Sequence, residues 1–165
     1  MRWGIALLLV ATGAGCDQVF TVDVPSGACA PAFGTDAYVY VSTAETWLVA
    51  ELRCEALDLE LGDAAHTHLA VLSDELELNK VRYPDGFVEA WIGITDRVVR
   101  DEWLWVTDEA IPSIVWGAGE PDDPDADRCG RVDGGDFMIH DTGCAAAMPY
   151  VCECDGFAVD TTHLE

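Results

Sequence analysis

The chain has 165 residues, 31 acidic against 8 basic, for a formal charge of −23; half of it is apolar and six residues are tryptophan. That length suits one domain able to bury its own core, and the apolar content excludes a disordered chain. The acid surplus repels phosphate, which excludes nucleic acid and anionic headgroups as partners and favours cations.

Residues 1–15 carry one positive charge at Arg2, an apolar stretch from Trp3 to Ala11 and the small residues Thr12 to Gly15. This is the pattern of a secretory signal, too short to span a bilayer as a helix. Its ending, Gly-Ala-Gly-Cys, resembles a bacterial lipobox, with Gly13 where a larger apolar residue is usual. The resemblance implies lipidation at Cys16, with plain signal cleavage as the alternative. The expected carrier is thus an exported chain, lipid-anchored to a bacterial membrane or cell surface, or else secreted. Residues 16–28 read as a tether. Seven cysteines are an odd number for an exported protein, and lipidation at Cys16 leaves six, which spacing alone could pair in fifteen ways.

Ser42-Thr-Ala-Glu45 reads as a capping box, in which hydroxyl and carboxylate satisfy free backbone amides, and predicts a helix over about 43–56 with Trp47, Ala50 and Cys54 on its apolar face. His68 to Leu72 predicts a strand. Asp74 to Glu77 repeats the capping pattern ahead of a second helix ending near Tyr83-Pro84. Trp91 to Ile94 and Glu102 to Val106 have the aromatic and branched composition of strands, whereas Ile111 to Asp136 is dominated by Gly, Pro and Asp and reads as a long loop. A loop of that length inside a compact domain is functional or held by a metal or a crosslink. Arg97 to Arg100 reads as a basic spot offsetting Asp101 and Glu102. Residues 155–165 show no pattern and are expected to be a loose tail.

Within the loop, Glu120-Pro-Asp-Asp-Pro-Asp-Ala-Asp127 crowds carboxylates together. An EF-hand register on Asp123, Asp125 and Asp127 fails, since Arg128 replaces the required glycine and Gly134 the closing glutamate. His66-x-His68 could bind a metal from one side of a strand, but a plain strand entrance is the simpler reading. No Ser or Cys nucleophile stands near a His base, and a Glu120/Asp141 glycosidase pair is a less simple account of the carboxylates than a bound cation. No enzyme is expected.

The order Trp47-x-x-Ala50-x-x-x-Cys54, His68-Leu-Ala70, Ser73-x-x-Leu76, Trp91-Ile-Gly-Ile94, Trp103-x-Trp105, Trp116-x-x-Gly119-Glu-Pro121, Cys129, Asp141-x-x-Cys144 and Tyr150-Val-Cys152-Glu153 resembles a C-type lectin-like domain over residues 29–154. The resemblance implies an α+β fold, with two helices flanking small antiparallel sheets, a long ligand loop and disulfide staples. It implies Cys54–Cys152 and Cys129–Cys144; because the family's first and last strands are neighbours, it also implies Cys29–Cys154. Trp103, Trp105 and Trp116 fall where the family packs core and loop.

For calcium-binding members the matching positions are Glu120 and Asp122 about a cis Pro121, Asp127 before Cys129, and His140 with Asp141 before Cys144. Four of the five offer oxygen, which suits Ca²⁺ as cofactor. Imidazole nitrogen suits it poorly, so His140 is read either as a ligand position that alters the site or as a strand residue turned to solvent. Asp123 and Asp125 read as solvated. Asp122 and His140 also stand where sugar-binding members carry amide donors, so neither the mannose-type nor the galactose-type pattern is met. The expected function is Ca²⁺-dependent carbohydrate binding outside the cytoplasm. The alternative is a metal-independent protein-binding or surface-display domain of the same fold, whose partner is an extracellular protein instead of a glycan.

Overall fold

The computed structural model describes residues 37–57, 66–81, 83–108, 111, 116–122, 128–155 and 157–164. The strands are β1 (Ala37–Glu45), β2 (Thr67–Leu69), β3 (Glu89–Thr95), β4 (Leu104–Trp105), β5 (Arg128–Asp133), β6 (Ile139–Gly143) and β7 (Met148–Cys154). The helices are α1 (Trp47–Ala56) and α2 (Glu75–Lys80), and a 3-10 turn covers Thr161–Leu164. The strands form one mixed sheet in the order β1-β7-β3-β5-β6, with β2 also on β7 and β4 on β3. All pairings are antiparallel except that of β3 with β7. The domain is α+β, as the sequence implies.

Helix α1 buries Trp47, Ala50, Glu51 and Cys54, one face at i, i+3, i+4 and i+7 spacing. It starts four residues later than its capping box implies. Residues 42–45 belong instead to β1, where pairing with β7 outweighs local capping chemistry. The N-cap Thr46 makes no side-chain cap, the first helical N–H, from Trp47, donates to the Cys144 carbonyl at 3.1 Å, and Glu45 pairs with Arg53. The second cap behaves as its chemistry dictates. Asp74 accepts from the Glu77 N–H at 2.9 Å while the Glu77 carboxylate reaches back to the Ser73 N–H at 2.7 Å. That helix, α2, stops at Lys80, short of Tyr83-Pro84.

Three fully buried tryptophans, Trp47, Trp91 and Trp105, centre the core with Leu69, Ile92 and Ile94. Two of the three indole N–H groups find backbone carbonyls, Trp47 donating to Ile92 and Trp91 to Glu45, whereas the Trp105 indole nitrogen is buried without an acceptor among the described residues. Two buried carboxylates likewise serve the backbone of the β2 region, Glu51 accepting from the Leu69 N–H and Glu153 from the Val71 N–H, each at 2.8 Å.

Disulfides join Cys54 of α1 to Cys152 of β7 and Cys129 of β5 to Cys144 just past β6. These are two of the pairs the family resemblance implies. In the chain-entropy model the longer closure is worth on the order of 4 to 5 kcal/mol. Cys154 is disulfide-bonded as well. The pairing expected for it with Cys29, the lipidation expected at Cys16 and the tether all lie outside the described residues.

The structure departs from the sequence expectation in two further segments. Residues 128–133, inside the long Gly/Pro/Asp stretch, form β5, because Cys129 and Val132 bury between β3 and β6 while the intervening Gly130 leaves room for neighbours. A Cβ on Gly130 would fall 1.9 Å from the Ile94 side chain, so no other residue fits there. The C-terminal segment is not a loose tail: Val159 packs on the core and the Asp160 N–H donates to the Val106 carbonyl at 2.7 Å. Among the described residues no helix is long and apolar enough to cross a membrane.

Candidate functional site

The loop entering from Trp116 is laid along β6 by backbone bonds. Trp116 bridges to Ile139, the Gly117 N–H donates to the Ile139 carbonyl at 2.8 Å, and the Glu120 N–H closes a turn onto the Gly117 carbonyl at 3.1 Å. Gly119 sits in that turn at φ +98, a conformation side chains resist. The Glu120–Pro121 bond is cis. Loop and strand then exchange hydrogen bonds: the Asp122 N–H donates to Asp141 Oδ1 at 3.0 Å, and the Asp141 N–H points at Glu120 Oε2 at 3.4 Å.

The result is a carboxylate cluster. One ligand oxygen from each of Glu120, Asp122 and Asp141 lies within 4.8 Å of the others, with Asp141 buried, Glu120 partly so and Asp122 exposed. Burial first, then the neighbouring Asp141 and Asp122 carboxylates, raise the pKa of Glu120 against the pull of His140. Oxygens bound to one Ca²⁺ at its usual bond lengths cannot be more than about 5 Å apart, and three hard oxygen donors at this spacing fit such an ion. Asp127, the fourth expected oxygen ligand, lies outside the described residues, as do Asp123 and Asp125.

His140 stands beside the cluster with both ring nitrogens engaged. Nδ1 is 2.8 Å from Glu120 Oε1 and Nε2 is 3.0 Å from Asp136 Oδ2. Burial alone would lower its pKa, but hydrogen bonds and charge from Asp136 and Glu120 outweigh that and raise it. With a carboxylate oxygen at hydrogen-bond distance from each nitrogen, the ring when doubly protonated donates to both and brings a positive charge to the cluster. Gly117 makes room for it, since a Cβ there would lie 2.7 Å from Nε2. No motif or spacing marks Asp136 as its partner. Its i, i+4 position relative to His140 is across a hairpin turn, where spacing says little until the turn is known.

Sequence reasoning also missed Arg128. Its side chain is buried and pairs with Asp96 and, at 2.7 Å, with Asp101, while its guanidinium lies 5.4 Å from the Trp103 ring centre. Asp101 is thus held below the usual carboxylate range mainly by Arg128, with Arg100 a lesser influence. Arg97, expected to help offset Asp101, instead lies 6.0 Å over the Trp47 ring. Trp103 in turn meets Trp116 edge-on at 4.9 Å, and Trp105 is fully buried. The three tryptophans pack the core and support the loop.

The His66-x-His68 pair is not a metal site in this fold. His68 is fully buried, with Nδ1 2.9 Å from the Leu69 carbonyl and Nε2 3.2 Å from Asp155.

Comparison with known proteins agrees with this geometry. The family model described as Lectin C-type domain matches residues 43–154. An alpha-N-acetylgalactosamine-specific lectin of Patiria pectinifera is 25% identical over 130 residues, covering 73% of this chain and 75% of its own. The hepatic lectin of Gallus gallus is 28% identical over 120 residues, 70% of this chain but only 53% of that longer protein. Among solved structures, the mouse scavenger receptor C-type lectin carbohydrate-recognition domain superposes with a TM-score of 0.62 at 25% identity, over 75% of this chain and 91% of that one. C-type lectin CEL-I of Cucumaria echinata superposes at 0.63 with 22% identity, over 73% and 90%. With the sheet, the helix-to-strand and loop disulfides and the Glu120 loop all in place, residues 43–154 make this chain a member of the C-type lectin domain family.

Proposed function

We propose that the domain binds glycans outside the cytoplasm in a Ca²⁺-dependent manner, through the cluster of Glu120, Asp122 and Asp141 with Asp127 completing the oxygen set. The observation that carries this reading is the convergence of three carboxylates within 4.8 Å on a loop and strand that are hydrogen-bonded to each other. The ion, when bound, supplies coordination to a pair of sugar hydroxyls. The chain's own carboxylates accept hydrogen bonds from those hydroxyls, and the His140 ring engages Glu120 and Asp136. The names of the lectin relatives support a carbohydrate ligand, and the disulfides suit an oxidising compartment. Export by the N-terminal signal and anchoring through Cys16 belong to the same proposal.

Calorimetry with CaCl₂, followed by a glycan array read in Ca²⁺ and in EDTA, tests the reading. Saturable Ca²⁺ binding and EDTA-sensitive glycan signals are expected. Absence of Ca²⁺ binding at millimolar concentration rejects it.

One observation favours a second reading. His140 Nδ1 lies 2.8 Å from Glu120, so the imidazole in its protonated form offsets part of the cluster's charge without a metal. A metal-independent domain that binds an extracellular protein would retain its partner in EDTA.

A further inference from the structure

Arg128 is tied to both halves of the carboxylate cluster. Its own strand, β5, sets the register of β6, where Gly130 faces Asp141 across the ladder. Its side chain instead enters the segment that ends β3 and follows it. The guanidinium bonds Asp96 and, at 2.7 Å, Asp101, while the Arg128 carbonyl accepts from the Thr95 hydroxyl at 2.9 Å and from the Asp96 N–H at 3.3 Å. The two carboxylates are fixed in turn, since the Asp101 N–H donates to Asp96 Oδ2 at 3.0 Å. Residues 95–101 thus grip Arg128 by backbone and side chain alike.

Two carboxylates on one planar fork restrict its orientation as well as its position. The guanidinium carbon lies over Trp103, 5.4 Å from the ring centre. Trp103 has no hydrogen bond of its own to orient it: the indole nitrogen is buried and lacks a partner among the described residues. The pose of this ring therefore rests on the groups packed against it, which include Arg128 and, with ring centres 4.9 Å apart at 72°, Trp116. Trp116 opens the segment that carries Glu120. It bridges to Ile139 of β6, the Gly117 N–H donates to the Ile139 carbonyl, and the Glu120 N–H donates to the Gly117 carbonyl.

We propose that Arg128 is a positioning residue for the cation site: its ion pairs with Asp96 and Asp101 fix Trp103, Trp103 fixes Trp116, and Trp116 delivers Glu120 to Asp141 before an ion arrives. This rests on the proposed cation binding by the Glu120 cluster and adds the part of the chain that sets the geometry of the unloaded site. Such a brace is needed because Glu120, Asp122 and Asp141 repel one another when ionised and empty. A buried ion pair adds little net stability over apolar side chains of the same volume, which leaves geometry as what this triplet supplies.

The test uses the full chain, with amide hydrogen exchange in EDTA and calorimetry with CaCl₂. Trp103→Leu cuts the link in its middle and leaves both ion pairs. Trp103→Phe keeps an aromatic face, and Arg128→Lys keeps the charge without the planar fork. Val81→Ala, at a buried core position just past α2, controls for general softening. In Trp103→Leu and Arg128→Lys, exchange at the Gly117 and Glu120 amides should quicken and Ca²⁺ affinity should fall, each by about three- to tenfold, the range of one cation–π contact. Trp103→Phe should recover most of both losses, and Val81→Ala should lower the melting temperature while changing neither. Exchange at both amides as slow in Trp103→Leu as in the wild type, or an equal loss of Ca²⁺ affinity in Val81→Ala, overturns the positioning role and leaves the cluster reading intact. A wild type that binds no Ca²⁺ at millimolar concentration overturns both.

Discussion

His140 Nδ1 and Glu120 Oε1 lie 2.8 Å apart, so a histidine on β6 holds one of the oxygens that the loop offers to a cation. Replacing it with a residue that cannot carry charge should release that oxygen. His140→Asn also adds an amide oxygen, and Ca²⁺ affinity measured by calorimetry should rise by about tenfold, the equivalent of one charge-assisted hydrogen bond. An unchanged or weaker affinity would mean the imidazole supports the site instead of competing for it.

Removal of one carboxylate from the cluster should have the opposite effect. Glu120→Gln or Asp141→Asn is expected to weaken Ca²⁺ binding by at least about tenfold, since each deletes a charged ligand. In the wild type, Ca²⁺ at a hundred times its dissociation constant should stabilise the fold by about 2.7 kcal/mol. A melting curve for either variant that rises with Ca²⁺ as much as the wild type would argue against the cluster.

Buried Arg128 faces Asp96, whose side chain is 2% exposed. Arg128→Met would leave that carboxylate buried without its counter-charge, at a cost of roughly 3 to 5 kcal/mol in urea unfolding. The double change Arg128→Met with Asp96→Asn should recover a substantial part of the loss. If it recovers none, the destabilisation comes from lost packing on Trp103 and not from the stranded charge.

The His68 and Glu153 pair, opposite each other on β2 and β7, ties stability to pH. Burial alone would lower the His68 pKa, but Asp155, the Leu69 carbonyl and Glu153 push it up to about 9. Burial pushes Glu153 up to about 8. Both groups keep their protons longer in the folded state than in the unfolded one. Stability should therefore fall as pH rises, through 4.5 to 8 for Glu153 and 6.5 to 9 for His68, by up to roughly 1.4 kcal/mol per pH unit for each retained proton. His68→Gln should flatten the upper part of the urea-midpoint profile and Glu153→Gln the lower part. A profile that is flat from pH 6 to 9 in the wild type contradicts this.

Peptide mapping without reduction should link Cys154 to Cys29, leaving Cys16 for a lipid. Recovery of a Cys16–Cys154 peptide instead would remove both the third pairing and the proposed anchor.

Where local chemistry and tertiary pairing agree, the sequence was readable. Asp74 with Glu77 caps α2, and Trp91 to Ile94 lies in a strand buried on both faces. Where they compete, the distant partner prevailed. Ser42 to Glu45 has the residues of a cap yet continues β1, with Glu45 pairing to Met148 of β7, and Arg128 to Asp133 looks like loop yet is gripped between β3 and β6. The cluster of Glu120, Asp122 and Asp141 was legible only through the family's residue order, because the loop residues and Asp141 lie some twenty positions apart in sequence. The engagement of both His140 nitrogens was hidden for a related reason. Its partners Glu120 and Asp136 approach from different segments, and no linear spacing announces which carboxylate will point inward.

Cys129 and Cys144 close the open end of the β5–β6 hairpin, whose other end is already closed by its turn. Asp141 therefore rides on a sealed covalent ring, while Glu120 and Asp122 sit on the incoming segment outside it. Insertions or exchanges in the incoming segment would leave Asp141 and His140 in register, so this domain offers a stationary half-site against which new recognition loops could be grafted and selected.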